Sequence, residues 1–199
     1  NFQYYPMETM KSTITKAIEI LKAGGVVIYP TDTAFGIGCR IEDERAVDRL
    51  FEIRKRPRTQ ATPVLVASKE TALAYLSSPS EIVRRLMKEY WPGALTIVAP
   101  AKLELVYSPI RGSGDTIGVR MPDHPVTLSI IEGVGVPILG PSANFHGEPT
   151  PYRFEDLDPA LVKLVDYVVS GECTIKQAST VIDCSVEPYR IIRQGAVVL

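Results

Sequence analysis

The sequence predicts a mixed α/β fold, a single twisted sheet flanked by helices, on three observations. Short apolar runs rich in Val, Ile and Leu recur along the chain and are cut by Gly and Pro, as strands are. Between them lie stretches whose apolar residues return at the 3.6-residue spacing of an amphipathic helix. The two kinds mix without the βαβα alternation of a doubly wound fold, and strands outnumber helices towards the C-terminus. With 199 residues, 45% of them hydrophobic and 23% charged, the chain can bury a full core without metal or disulfide staples, so one domain is expected.

Taken in order, Ser12 is placed to cap a first helix carrying Ile14, Ala17, Ile18 and Leu21 on one face, with Gly24-Gly25 as its stop. Residues 26–29 read as a buried strand leading into a Thr/Gly loop. Asp43 caps a second helix with Ala46, Val47, Leu50 and Phe51 inward, and Pro57 ends it. A strand follows at residues 63–67, then helices from the caps Ser68 and Ser80, the latter burying Ile82, Val83, Leu86 and Met87. Trp91-Pro92-Gly93 punctuates before a strand at 94–99. Further strands are expected at 116–120, 137–140, 167–169, 180–184, 189–192 and 196–199, with one helix at about 125–132. The Pro/Gly-rich stretch 145–152 is short enough to be a loop beside a site rather than a linker. No repeat or low-complexity tract interrupts this order.

The chemistry-bearing residues gather in three distant stretches of similar composition: Pro30 to Gly38, Gly140 to Asn144, and Ser179 to Asp183. Hydroxyls at strand ends, with the basic run Arg54-Lys55-Arg56-Pro57-Arg58 between the first two, suit a phosphate- or carboxylate-bearing ligand, because they supply many donors with little bulk. Each stretch also has a plain structural explanation. Asp and Thr can bond their own backbone in a turn, the glycines can take positive φ or admit a ligand to the backbone, and a basic helix end complements the helix dipole.

Absences narrow the chemistry. No G-x-x-x-x-G-K-[ST] occurs and no Gly-x-Gly pair completes G-x-G-x-x-G, which excludes a Walker loop and a dinucleotide fingerprint. Two histidines, His124 and His146, do not make a multi-histidine metal site. The three cysteines, Cys39, Cys173 and Cys184, show no C-x-x-C spacing, which argues against a disulfide framework or zinc ribbon and for a reducing compartment. A formal net charge of −1 means any nucleic-acid affinity must come from a local patch. Neither a membrane span nor a secretory signal is recognisable, so the expected location is the cytoplasm.

The order of these motifs resembles one family. Pro30 to Gly38 matches a strand ending in Pro-Thr-[Asp/Glu]-[Thr/Ala]-x-[Tyr/Phe]-Gly-[Leu/Val/Ile]-Gly. It is followed by a Lys-x-Arg-Pro element, here Arg54 to Pro57, then Trp-Pro-Gly-[Ala/Pro]-[Leu/Val]-Thr at Trp91 to Thr96 and Val-Arg-x-Pro-x-His-Pro at Val119 to Pro125. Ser142-Ala143-Asn144, Ser179 to Asp183 and Arg193 to Gly195 complete the series. From about Lys11 to Leu199 the chain resembles the Sua5/YrdC/TsaC family, in its short single-domain form, with residues 1–10 as an N-terminal extension.

The resemblance implies a YrdC-like fold and an L-threonylcarbamoyladenylate synthase, a nucleotidyltransferase. Such an enzyme makes threonylcarbamoyl-AMP and pyrophosphate from L-threonine, bicarbonate and ATP, with Mg²⁺, for the N6-threonylcarbamoyladenosine of tRNA. It implies catalytic roles for Arg54, Lys55 and Arg56. Thr33, Arg120, Gly140 and Ser179 would hold L-threonine, with Arg120 gripping its carboxylate. Arg56, Gln60, Thr116, Ser142, Asn144, Thr150 and Arg193 would hold ATP. The Mg²⁺ ligands are not readable. Partners would be a downstream transferase that takes the intermediate and a contact with tRNA. The chain departs from the pattern in carrying Arg54 for the usual Lys, and in having no histidine after the strand at 63–67. Two other readings compete: an RNA-binding module built on Arg54 to Arg58, and a carbamoyl-adenylate domain serving another acceptor. His124 and Trp91 are expected to be structural, and Cys39 core filler.

Overall fold

The computed structural model describes residues 7–199. The extension expected at residues 1–10 lies, up to residue 6, outside the described residues. Helix α1 runs Met7–Lys22, so Ser12 sits inside it and not at its start. Good helix formers precede Ser12, and nothing in them stops the helix from extending backwards.

Strands β1 (Val27–Tyr29) and β2 (Gly36–Gly38) form an antiparallel pair. Helix α2 (Glu44–Arg54) starts where Asp43 accepts a hydrogen bond from the Ala46 N–H. Strand β3 (Val64–Leu65), helix α3 (Lys69–Tyr75) and helix α4 (Glu81–Tyr90) follow, the helices capped by Ser68 and Ser80 as the sequence predicts. Next come β4 (Leu95–Pro100), β5 (Thr116–Arg120), α5 (Pro125–Val134) and β6 (Ile138–Leu139). A short helix α6 (Pro159–Val162) precedes β7 (Tyr167–Val168), β8 (Thr180–Asp183) and β9 (Arg190–Arg193).

The class is the expected mixed α/β, but the strands form two sheets where the sequence suggested one. The smaller has the order β2-β1-β7 and the larger β6-β3-β5-β4-β8-β9. They meet along β2 and β6, where hydrogen bonds run from Ile37 N to Pro141 O and from Leu139 N to Cys39 O. Pro137 and Pro141 flank β6 and have no N–H to give, so the ladder breaks there into isolated bridges. Gly36 to Gly38 form a strand where a loop was expected. Residues 196–199 form none, and their backbone hangs instead on the Thr180 hydroxyl.

Residues along β1 alternate between two cores. Val26 and Ile28 join the larger one with Val47, Leu50, Ile97 and Val119. Val27 and Tyr29 join a second with Ala17, Leu21 and Ile130, which seats α1 against α5. Both faces of the strand are therefore buried, and its run is apolar throughout.

Tyr29 stitches the sheets together. Its hydroxyl donates to Leu139 O at 2.6 Å in the fully buried interior, and burial pushes the phenol pKa upward. A Cβ on Gly36 or Gly38 would lie 2.7 or 2.9 Å from the Tyr29 ring. These glycines make room for a tyrosine, and neither has positive φ. Tyr29→Phe should lower the unfolding free energy by about 1–2 kcal/mol, the cost of stranding a buried carbonyl. Urea melts should show the midpoint falling at unchanged slope.

Candidate active site

A cavity of about 300 Å³ opens where the loop after β1, the end of α2, the middle of β4, the end of β5, the loop after β6 and Arg193 of β9 converge. Four guanidiniums line it, Arg54, Arg56, Arg120 and Arg193, and no carboxylate does. A second depression of about 660 Å³ beside the start of α5 mixes Arg153 and Lys176 with Glu155 and Glu172, so its charges largely cancel. The smaller cavity is the one that selects by charge.

Arg120, the last residue of β5, is 5% exposed. Nη1 donates to Asp32 Oδ1 at 2.6 Å and to Gly93 O at 3.3 Å, and Nη2 to the hydroxyls of Thr33 at 3.0 Å and Thr31 at 3.3 Å. Protein acceptors hold both Nη atoms of Arg120 in this structure, and its guanidinium also lines the cavity. The Thr33 hydroxyl and the guanidinium bonded to it both line the cavity.

The same construction recurs opposite. Arg193 donates from Nε and Nη2 to Ser179 O at 3.0 and 2.9 Å, and from Nη2 to Ser179 Oγ at 3.0 Å. Ser179 Oγ also pairs with Thr96 Oγ1 at 2.8 Å. The chain folds back tightly enough for this because residue 195 is glycine: a Cβ there would lie 2.5 Å from Ser179 O.

Arg54 is 3% exposed at the end of α2. Its Nε donates to Asn144 O at 3.0 Å, while Nη1 has no partner. Burial, then the neighbouring Arg56, pulls its pKa down to about 10. Arg56 donates to the carbonyls of Gln60 and Ala61, and burial lowers its pKa and that of Arg193 as well. Among the described residues none of Arg54, Arg56 and Arg193 has a carboxylate within salt-bridge distance. Arg54 is buried, Arg56 half-buried and Arg193 exposed on its strand, and three converging cations without counterions favour an anion.

Of the residues singled out in the sequence, Thr33, Arg54, Arg56, Arg120, Gly140, Ser142, Thr150, Ser179 and Arg193 line the cavity. Lys55, Gln60, Thr116 and Asn144 do not. Lys55 has φ 54° at the helix end, and its Nζ lies 4.8 Å from the centroid of the Phe145 ring. Gln60 is exposed and gives only its carbonyl to Arg56. Thr116 begins β5 at the far end from Arg120. Asn144 spends its amide on the carbonyls of Phe145 and Glu148 and so shapes the loop behind the wall. Thr31, Thr62 and Thr96 were given no site role from the sequence, yet all three are lining residues. Thr62 is 2% exposed with its hydroxyl unpartnered.

The basic run is no continuous face for RNA. Arg54 is buried, and Arg58 is paired with Asp48 at 2.7 Å. His124 occupies the first position before α5, but its ring bonds Glu172 O at 3.1 Å and not the helix N–H groups. Trp91 and Cys39 are core residues, 4% and 0% exposed. Among the described residues no three His, Cys, Asp or Glu side chains cluster as metal ligands. Hard cations such as Mg²⁺ take oxygen ligands, usually carboxylates, and the cavity wall offers none. Its residues therefore do not fit a resident Mg²⁺. No helix of the described residues is long and apolar enough to cross a membrane.

Fold and cavity together define a mixed α/β domain built to hold anions between arginines and hydroxyls. The family model for the Sua5/YciO/YrdC domain, described as telomere recombination, matches residues 19–195, and the chain belongs to that family. It is 34% identical over 196 residues to a threonylcarbamoyl-AMP synthase of Bacillus subtilis, covering 96% of this chain and 56% of that protein. The structure of Pyrococcus abyssi Sua5 complexed with L-threonine superposes with a TM-score of 0.85 at 35% identity, over 92% of this chain and 54% of that one. Escherichia coli YciO superposes with a TM-score of 0.83 at 30% identity, over 96% of this chain and 91% of that one. The chain thus spans about half the length of the Bacillus subtilis and Pyrococcus abyssi synthases, and nearly all of YciO.

Replacing Arg54 by Met should weaken pyrophosphate binding roughly 10- to 100-fold, the worth of a charged hydrogen bond. Isothermal titration at two salt concentrations checks this, with the steeper salt dependence in the unmutated protein.

Proposed function

We propose that this chain carries the L-threonylcarbamoyladenylate synthase activity of its family: L-threonine, bicarbonate and ATP give threonylcarbamoyl-AMP and pyrophosphate, a nucleotidyl transfer. One observation carries the reading. Three guanidiniums without counterions, Arg54, Arg56 and Arg193, share a cavity with two arginine-backed hydroxyls, Thr33 and Ser179. The cations suit a triphosphate, and the hydroxyls suit a small amino acid. The printed names of the relatives, and the L-threonine in the Pyrococcus structure, support the same assignment.

In this mechanism the threonine nitrogen takes up CO₂ from bicarbonate to form a carbamate. A carbamate oxygen attacks the α-phosphorus, the bond from that phosphorus to the bridging oxygen breaks, and its electron pair leaves on pyrophosphate. No side chain becomes covalently attached. The protein's share is to place the two reactants and to neutralise charge that grows on the leaving group, the part assigned to Arg54 and Arg56. Ser142, Thr150 and Arg193 line the remainder of the nucleotide's side, and Gly140 closes the wall behind the amino acid. Mg²⁺ would enter on the phosphate oxygens, since the wall carries no acid to hold it. The product would pass to a transferase that modifies tRNA, in the cytoplasm.

Pyrophosphate release by the purified chain should require both L-threonine and bicarbonate. Arg56→Ala should slow it about 10²- to 10³-fold, as loss of a charge-stabilising donor does elsewhere. Release that ignores threonine would overturn the assignment.

A further inference from the structure

Gly112 lines neither cavity and belongs to no motif. It ends the 3₁₀ turn Ser108–Arg111 in the left-handed region, with φ 59°. A Cβ there would lie 2.7 Å from Ala61 N, 2.8 Å from Thr59 O and 3.2 Å from Gln60 C. All three are backbone atoms of the loop after α2, so no side-chain rotation can make room for it. The same loop is tied to this segment at both ends, because Thr62 N donates to Ile110 O at 3.1 Å and Arg58 Nη2 to the Tyr107 hydroxyl at 2.9 Å.

That loop is what holds Arg56. Arg56 Nε donates to Gln60 O at 3.2 Å and Nη2 to Ala61 O, and the Gln60 N–H closes a turn on Pro57 O at 3.0 Å. Among the described residues Nη1 has no hydrogen-bond partner and no carboxylate pairs with the group. Two carbonyls, of residues whose backbone rests on Gly112, therefore set the direction of this cation. Where the two surfaces are forced apart, the loop is the side that yields. Residues 57–61 are exposed, whereas Val106 and Ile110 are core residues, 2% and 0% exposed. Arg111 also ties the turn to itself by donating to Val106 O and Gly114 O.

We propose that Gly112 is a positioning residue for Arg56: its bare Cα lets the 59–61 backbone close onto the turn, and that closure aims the Arg56 guanidinium at a phosphate group in the cavity. The inference rests on the proposed reaction for the identity of that group, the phosphate chain of ATP. A side chain at position 112 lifts the loop, carries the carbonyls of Gln60 and Ala61 outward, and turns Arg56 away without removing its charge. A displacement of about 1 Å in a positioned group can cost up to about 10²-fold in rate. Thr33 and Ser179 stand on other elements, so the amino-acid side of the cavity keeps its geometry.

The test measures pyrophosphate affinity by calorimetry, and the steady-state constants of pyrophosphate release, for the unmutated protein, Gly112→Ala, Gly112→Asn, Gly135→Ala, Arg56→Ala and Gly112→Ala/Arg56→Ala. Gly135 is the control for backbone strain, since its φ is 83° and a Cβ there meets nothing within 4 Å. Gly112→Ala should weaken pyrophosphate binding about 10-fold and lower kcat/KM for ATP by a similar factor, with the KM for L-threonine kept within about twofold. Gly135→Ala should leave all three within about twofold. Asn tolerates positive φ better than Ala but brings the same Cβ, so Gly112→Asn should lose as much, and it decides the matter where Gly112→Ala does not fold. On the Arg56→Ala background the change at 112 should add less than about twofold, because Gly112 acts through that guanidinium. Unchanged pyrophosphate affinity in Gly112→Asn, an equal loss for L-threonine, full additivity with Arg56→Ala, or the same loss in Gly135→Ala would each overturn the proposal. Pyrophosphate binding that responds to Gly112 in a protein whose turnover ignores threonine would support the positioning role and count against the synthase reading.

Discussion

The structure turns on the buried pair between Arg120 and Asp32. Their side chains are 6% and 1% exposed, and they come from different sheets: Arg120 closes β5 of the larger, and Asp32 follows β1 of the smaller. Two charges taken out of water hold together only when nearly every hydrogen bond is made, and removing one partner strands the other at a cost of about 3–5 kcal/mol. The surroundings meet that condition on the arginine side, with Gly93 O, Thr31 and Thr33 completing the shell. Trp91-Pro92-Gly93 thereby belongs to the site through a backbone carbonyl, although no side chain of the three lines the cavity.

That pair also sorts the cavity's charges. Arg120 is neutralised within the protein, while Arg54, Arg56 and Arg193 are not. Desolvation lowers the pKa of each of those three, yet guanidinium groups stay protonated at any physiological pH. The result is a hollow lined by arginine-backed hydroxyls and by positive charge that no carboxylate matches.

The sequence made the helices legible wherever a cap and an apolar stripe coincided. Ser80 with Val83, Leu86 and Met87 is one case, and Asp43 with Ala46, Val47 and Leu50 is another. Ser12 misled because a potential cap is silent when the residues before it also favour helix. The strand Gly36–Gly38 was hidden because glycine is a poor strand former, and only the distant Tyr29 ring explains it. In the site, residues whose side chains project from strand ends were readable from motif order. Lys55 and Asn144 could not be placed that way. Neighbours in sequence point in opposite directions when the helix ends in a left-handed residue, and an amide can serve the loop as easily as a ligand. The seam between the sheets depended on Pro137 and Pro141 meeting β2, a tertiary encounter that no local pattern records.

Strand β9 is the least protected part of this architecture. All four of its residues are exposed, it lies at the sheet edge, and its pairing with β8 slips between Val181 and Ile182. One of the cavity's three uncompensated cations, Arg193, thus sits on an exposed edge strand. Elements of this kind open locally at a small fraction of the global unfolding free energy. Fraying of the edge withdraws charge from the hollow while leaving Arg54 and Arg56 in place. An anion bound by Arg193 would favour the closed edge by mass action.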